Sequence, residues 1–125
     1  MKITSFNPLI VTGDAEKTIK LFEELGFERR HSIDVTSPSE KEITSVRMKD
    51  ANGFYVDVAG VPGMQKDLTL IRMNVDNFEE AYEYFTARGF KNPSGDATVD
   101  TRTNRSAMLA SPSGFAFDLC QHIKD

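Results

Sequence analysis

The chain has 125 residues, with 15 lysine and arginine residues against 19 aspartate and glutamate residues, for a net charge of -4. Hydrophobic residues make up 39% and charged residues 27% of the chain, which fits one compact domain and excludes a disordered tail or a fibre. The acidic balance, the single cysteine and the lack of a long apolar run favour a cytoplasmic protein that binds neither nucleic acid nor membrane.

The first half of the chain predicts a strand, a helix and three more strands. Residues 3–11 are apolar and β-prone. Asp14 is a suitable N-cap and Gly26 a suitable residue to end a helix whose apolar positions recur every three or four residues. Three strand-like segments follow with no helix between them, at 27–35, 43–49 and 54–59, separated by turns at 37–41 and 50–53.

The second half repeats this order. Residues 68–75 form a predicted strand, Asn77 caps a helix with Glu80 three residues later, and Gly89 ends that helix. Two more strands are predicted, at 102–110 and 115–121. A strand within residues 96–101 is possible, but the periodicity of that segment does not require one.

The two halves align as an internal duplication. The Gly-Phe pair that follows the first helix matches Gly89-Phe90 at an offset of 63 residues, and residues 52–58 match residues 113–119 at an offset of 61. The domain is therefore divided into a first module, 1–60, a connector, 61–67, and a second module, 68–125. A helix followed by three uninterrupted strands favours antiparallel hairpins, so the predicted class is α+β.

The sequence resembles the vicinal oxygen chelate superfamily, the group of glyoxalases, bleomycin-resistance proteins and extradiol dioxygenases. The matching segments are VTGD at 11–14, KLFEELGF at 20–27, VDNFEEAY at 75–82, ARGF at 87–90 and SPSGFAFDL at 111–119. The resemblance implies two tandem βαβββ modules that form a curved, cup-like mixed sheet with the helices outside. It also implies a homodimer with a small-molecule ligand in the cup.

Members of this family commonly hold a metal at the base of the cup, and the resemblance assigns its ligand positions here to Asn7, Leu70, Asp57 and Asp118. Leucine cannot coordinate a metal, and no histidine occupies any of the four positions. We therefore expect no metal of the family's usual kind. The alternative is a hard cation such as Mg²⁺ or Mn²⁺ held by Asn7, Asp57 and Asp118.

Strand alternation predicts which side chains face the cup. The predicted ligand-binding residues are Asn7, Arg47, Tyr55, Asp57, Arg72, Asn74 and Asp118. Arg72 stands in the middle of an apolar strand, where it either clamps an anionic group of the ligand or pairs internally with Asp57 or Asp118. The two aspartates are also the candidate catalytic residues, since a carboxylate in apolar surroundings can act as a general base.

The remaining chemically versatile residues are interpreted as structural. His31 is predicted to lie at the surface, His122 past the last strand, and Cys120 in the core as a small hydrophobe. Two functions remain open. One is binding of a small polar or anionic molecule without a catalytic metal. The other is a glyoxalase-type lyase or isomerase that uses Asp57, Asp118 and Asn7 around Mg²⁺ or Mn²⁺.

Overall fold

The computed structural model describes residues 1–36, 42–101 and 103–122. These residues divide into two compact units: the first unit comprises residues 7–69, and the second comprises residues 1–6 together with the chain from residue 70 onward. Strand β1 (Ile3–Thr12) contributes its opening residues to the second unit and the others to the first. The first unit further contains α1 (Ala15–Glu24), β2 (Glu28–Thr36), β3 (Glu42–Lys49) and β4 (Tyr55–Gly60).

The sheet of the first unit has the strand order β2-β3-β4-β1. Strand β3 is antiparallel to both of its neighbours, whereas β1 and β4 run parallel. In this register Asp57 on β4 lies beside Leu9 on one side and Arg47 on the other. The sheet is therefore mixed, and Asp57 lies on an inner strand where both edges are hydrogen-bonded.

Helix α1 covers one face of this sheet. The side chain of Asp14 accepts a hydrogen bond from the backbone N–H of Lys17 at 3.2 Å and so caps the helix. Past its end, Gly26 has φ +103°, a conformation that favours glycine. The core between helix and sheet consists of Ile19, Val46, Met48, Val56 and Val58. Because the even-numbered residues of β3 and β4 pack against α1, their odd-numbered residues lie on the other face.

The second unit contains β5 (Leu68–Val75) from its third residue onward, α2 (Phe78–Thr86), β6 (Val99–Asp100), β7 (Asn104–Ala110) and β8 (Ala116–His122). The start of β1 adjoins β5, followed by β8, β7 and β6. Strands β5 and β8 are parallel, and β7 is antiparallel to β8 and β6. Asp118 on β8 consequently lies between Arg72 on β5 and Met108 on β7.

Helix α2 packs on this second sheet. Asn77 caps it by accepting a hydrogen bond from the N–H of Glu80 at 3.1 Å, and the first helical N–H, from Phe78, donates to the side chain of Gln121 at 2.7 Å. The buried core consists of Met73, Val75, Phe78, Ala81, Ala107, Leu109 and Leu119. Because side chains alternate along a strand, Arg72, Met108 and Asp118 lie on the face opposite the helix.

The α+β class is confirmed, since each unit places a helix on one face of a mixed sheet. Among the described residues, the predicted elements agree with the observed ones to within two residues at the strand ends, and the uncertain segment 96–101 contains the two-residue strand β6. One placement was wrong: His122 is the last residue of β8 rather than a residue beyond it, because the β7 pairing extends to Asn104. The predicted turn at 37–41 and the predicted strand start at 102 lie outside the described residues.

The hydroxyl of Tyr82 on α2 ties the helix to the segment before β6. It donates to Asp96 at 3.0 Å and accepts from the amide of Asn92 at 3.4 Å. Burial is the main cause that raises the pKa of Tyr82 above its ordinary value of 10.0; the hydrogen bond from Asn92 lowers it, and the bond to Asp96 raises it.

We expect this arrangement to weaken at high pH. Because the pKa in the folded state lies above that of the unfolded chain, the stabilising contribution is complete below about pH 10 and is lost as the pH rises through the folded-state pKa. Titration of tyrosinate absorbance should show a late component that is absent in Tyr82→Phe. A late component that persists in Tyr82→Phe would assign the shift to another tyrosine.

Candidate functional site

Four of the predicted ligand-binding residues meet on the face of the first sheet opposite α1. We call this group the Asp57 cluster: Asn7 on β1, Arg47 on β3, and Tyr55 and Asp57 on β4. The strand register brings them together. Arg47 on β3 is the cross-strand neighbour of Asp57. On β1 the neighbour of Asp57 is Leu9, which lies two residues beyond Asn7. Neighbouring strands lie close enough for such side chains to interact directly.

Asp57 is the centre of this cluster and is fully buried, with 0% of its surface exposed. Its Oδ2 accepts a hydrogen bond from the side-chain amide of Asn7 at 2.9 Å and lies 3.7 Å from Nη1 of Arg47. Arg47 also donates through Nη2 to Oδ1 of Asn7 at 3.3 Å. Asn7 thus directs its N–H₂ group to the carboxylate and its oxygen to the guanidinium, which fixes the orientation of all three side chains.

Two cations lie against the ring of Tyr55. The guanidinium carbon of Arg47 is 4.3 Å from the ring centroid, and Nζ of Lys49 is 5.2 Å from it. Both distances are within the range of cation–π attraction. Lys49 was not among the predicted site residues, although it shares the strand parity of Arg47 and lies directly across from Tyr55. Strand alternation already places Lys49 on the face of Arg47, but Lys49 is the last residue of the predicted strand and was not counted among the site residues.

The second unit contains a separate group, the Asp118 cluster, formed by Arg72, Asp118 and Cys120. Arg72 donates to Oδ2 of Asp118 through both Nε, at 3.0 Å, and Nη2, at 2.8 Å. The side chains of Arg72 and Asp118 are 19% and 16% exposed, so the pair is largely shielded from water. Of the alternatives for Arg72, the internal ion pair with Asp118 is confirmed.

The other singled-out residues have structural contacts. Asn74 donates to Oγ of Ser5, and the buried thiol of Cys120 donates to Oδ2 of Asp118 at 3.6 Å. His31 is exposed, as predicted, and His122 is also exposed.

Comparison with models of protein families identifies the superfamily of this chain. The model of the Glyoxalase/Bleomycin resistance protein/Dioxygenase superfamily matches residues 3–119. The chain belongs to this superfamily. The family resemblance seen in the sequence is thereby confirmed.

Solved structures from this superfamily share the fold. Methylmalonyl-CoA epimerase from Mycobacterium tuberculosis superposes with a TM-score of 0.73 at 9% identity, covering 98% of this chain and 90% of that one. A superfamily member from Vibrio splendidus gives 0.59 at 20% identity, with 96% and 99% coverage. A glyoxalase I variant from Zea mays gives 0.64 at 17% identity, with 96% and 43% coverage. Comparison with the curated proteins finds no significant match.

The superfamily implies a metal whose ligand positions correspond here to Asn7, Leu70, Asp57 and Asp118, and these residues do not fit one. Asp57 already accepts the amide of Asn7 and lies against a guanidinium, Asp118 binds a second guanidinium, and Leu70 has no donor atom. Within residues 1–36, 42–101 and 103–122, no group of three or more His, Cys, Asp or Glu side chains is arranged to hold a metal ion. Both carboxylates thus interact with protein cations.

The described part of the chain also has no helix that is both long and apolar enough to cross a membrane.

Proposed function

We propose that this superfamily member binds a small polar or anionic molecule at the Asp57 cluster. The observation that carries this proposal is the charge around Tyr55. Arg47 and Lys49 both lie against the ring, while Asp57 supplies one negative charge. The Asp57 cluster and Lys49 together thus contribute two basic side chains against one carboxyl group, which favours an anionic ligand beside Tyr55.

The environment of Arg47 suits it to hold such a ligand. Its side chain is only 24% exposed, so its charge is less screened by water than that of a surface arginine. Guanidinium donors can bind both oxygens of a carboxylate or phosphate at once. Asn7 and Asp57 hold the guanidinium in place before a ligand arrives, which lowers the entropy lost on binding.

The proposal is tested by titrating the tag-free protein with inorganic phosphate, acetate and citrate, followed by calorimetry and by amide chemical shifts. Arg47→Met and Lys49→Met should each weaken binding of the preferred anion by roughly 10-fold or more, because each removes a charged contact. The matched control is Arg105→Met. Arg105 is a half-exposed arginine of the second unit that pairs with Glu79 and Asp100, and its loss should leave the affinity unchanged.

Affinity that is equal in the parent and in both variants would contradict the proposal. An Arg72→Met variant extends the test to the Asp118 cluster. A loss of affinity in that variant would add Arg72 to the binding residues, while unchanged affinity would leave it as the structural partner of Asp118.

The proposal extends to the assembly and location of the protein. The family resemblance supports a homodimer, and the single cysteine supports a reducing, cytoplasmic location. Neither is needed for the anion-binding test above, which measures residues of one unit.

A further inference from the structure

The two carboxylates at positions 57 and 118 have complementary neighbours. Asp57 lies between Leu9 and Arg47, and Asp118 lies between Arg72 and Met108. Under the duplication, Leu9 corresponds to Arg72, and Arg47 corresponds to Met108. Each carboxylate therefore has one aliphatic and one guanidinium neighbour, but the guanidinium comes from β3 in the first unit and from β5 in the second.

This exchange has a physical reason. A carboxylate removed from water is costly unless a positive charge and hydrogen bonds compensate it. Asp57 is fully buried and Asp118 is only 16% exposed, so both need such a partner. The duplicated register offers two neighbouring positions to each carboxylate, and a guanidinium at either position reaches it, at 3.7 Å from Arg47 and at 2.8 Å from Arg72.

We infer that Arg47 and Arg72 are the resident cations of this fold and take the place of the divalent metal that the superfamily implies. What the two halves share is one positive charge beside each carboxylate, whichever strand supplies it. The protein consequently folds without a divalent cation at Asp57 or Asp118. This inference stands apart from the proposed ligand, since it concerns charges within the protein.

The decisive experiment moves the cation of the second unit to the position that the first unit uses. Arg72→Leu should lower the melting temperature by about 5 °C or more. Adding Met108→Arg to that variant should recover a large part of the loss, because position 108 flanks Asp118 as Arg47 flanks Asp57. Methylguanidinium at millimolar concentration should also raise the melting temperature of Arg72→Leu by a few degrees and leave that of the parent unchanged.

The matched control is Arg105→Leu, which removes a guanidinium from the exposed pairs with Glu79 and Asp100 and should show no rescue by methylguanidinium. If Arg72→Leu does not fold, a double variant that does fold supports the inference. An unchanged melting temperature in Arg72→Leu overturns it, as does failure of both Met108→Arg and methylguanidinium to recover any stability.

A second measurement does not depend on the arginine variants and starts from the parent protein. The parent, purified without a tag and treated with chelator, should keep its melting temperature, and neither Mg²⁺ nor Mn²⁺ should raise it. Electron paramagnetic resonance of added Mn²⁺ should detect only free ion. One tightly bound equivalent of Mn²⁺ that is lost in Asp118→Asn or Asp57→Asn would overturn the inference, whatever the outcome of the ligand titrations.

Discussion

Asp57→Ala should lower the free energy of unfolding by about 3–5 kcal/mol, because it removes the one carboxylate that pairs with the largely buried guanidinium of Arg47 within the Asp57 cluster. The carboxylate is 0% exposed, and its Oδ2 holds both the amide of Asn7, at 2.9 Å, and the guanidinium of Arg47, at 3.7 Å. Urea unfolding followed by circular dichroism measures the loss. The m-value, which is the slope of the unfolding free energy against urea concentration, should stay the same if the substitution acts on the folded state.

A surface carboxylate provides the control for this prediction. Asp100 pairs with Arg105 at 3.1 Å, but its side chain is 53% exposed. Asp100→Ala should therefore cost less than about 1 kcal/mol. If Asp57→Ala costs no more than Asp100→Ala, the described burial and pairing of Asp57 do not hold in solution.

Asp57→Asn separates shape from charge at the same position. Asparagine fills almost the same volume but provides one neutral oxygen where the carboxylate provides a charge, so the attraction to Arg47 is lost while packing is kept. A loss close to that of Asp57→Ala would identify charge as the main contribution. A much smaller loss would identify hydrogen bonding to Asn7 and packing instead.

The elements of the fold were predictable because each depends on local sequence. The caps Asp14 and Asn77 precede apolar residues at helical spacing, and both accept the hydrogen bonds expected of an N-cap. Strand alternation was sufficient to assign faces, since Val46, Met48, Val56 and Val58 pack against α1 as their parity requires. These features need no knowledge of which strands are neighbours.

The pairing of charges was less predictable because it depends on register between strands. Strand alternation places Arg47 and Asp57 on one face but does not pair them, and it leaves the partner of Arg72 open between Asp57 and Asp118. Counting outward from the turn predicted at residues 50–53 would pair Lys49 with Phe54, one residue away from the observed pairs of Lys49 with Tyr55 and Arg47 with Asp57, because the loop includes Phe54. A one-residue error in the turn moves Arg47 opposite Val56, so the predicted turn could not supply the charge pairing.

The segment before β6 was hard to predict for a different reason. Its order comes from side chains that bond to the backbone: Asn92 accepts from the N–H of Ser94 at 2.9 Å and donates to the carbonyl of Ala97 at 2.9 Å. Such contacts produce no hydrophobic period. The strand that follows has only two residues, too few for alternation to be recognised.

Phe78→Ala should lower the free energy of unfolding by about 3–5 kcal/mol, since a large buried ring is lost from the core. Phe78 is 2% exposed, opens α2, and packs against Tyr82 with ring centroids 5.6 Å apart. Phe54→Ala is the matched control: this ring is 65% exposed, so its removal should cost less than about 1 kcal/mol. Because the chain has no tryptophan, circular dichroism should follow unfolding, and hydrogen exchange should detect loss of protection in α2 first. Equal losses in the two variants would show that α2 does not depend on Phe78 for its packing on the second sheet.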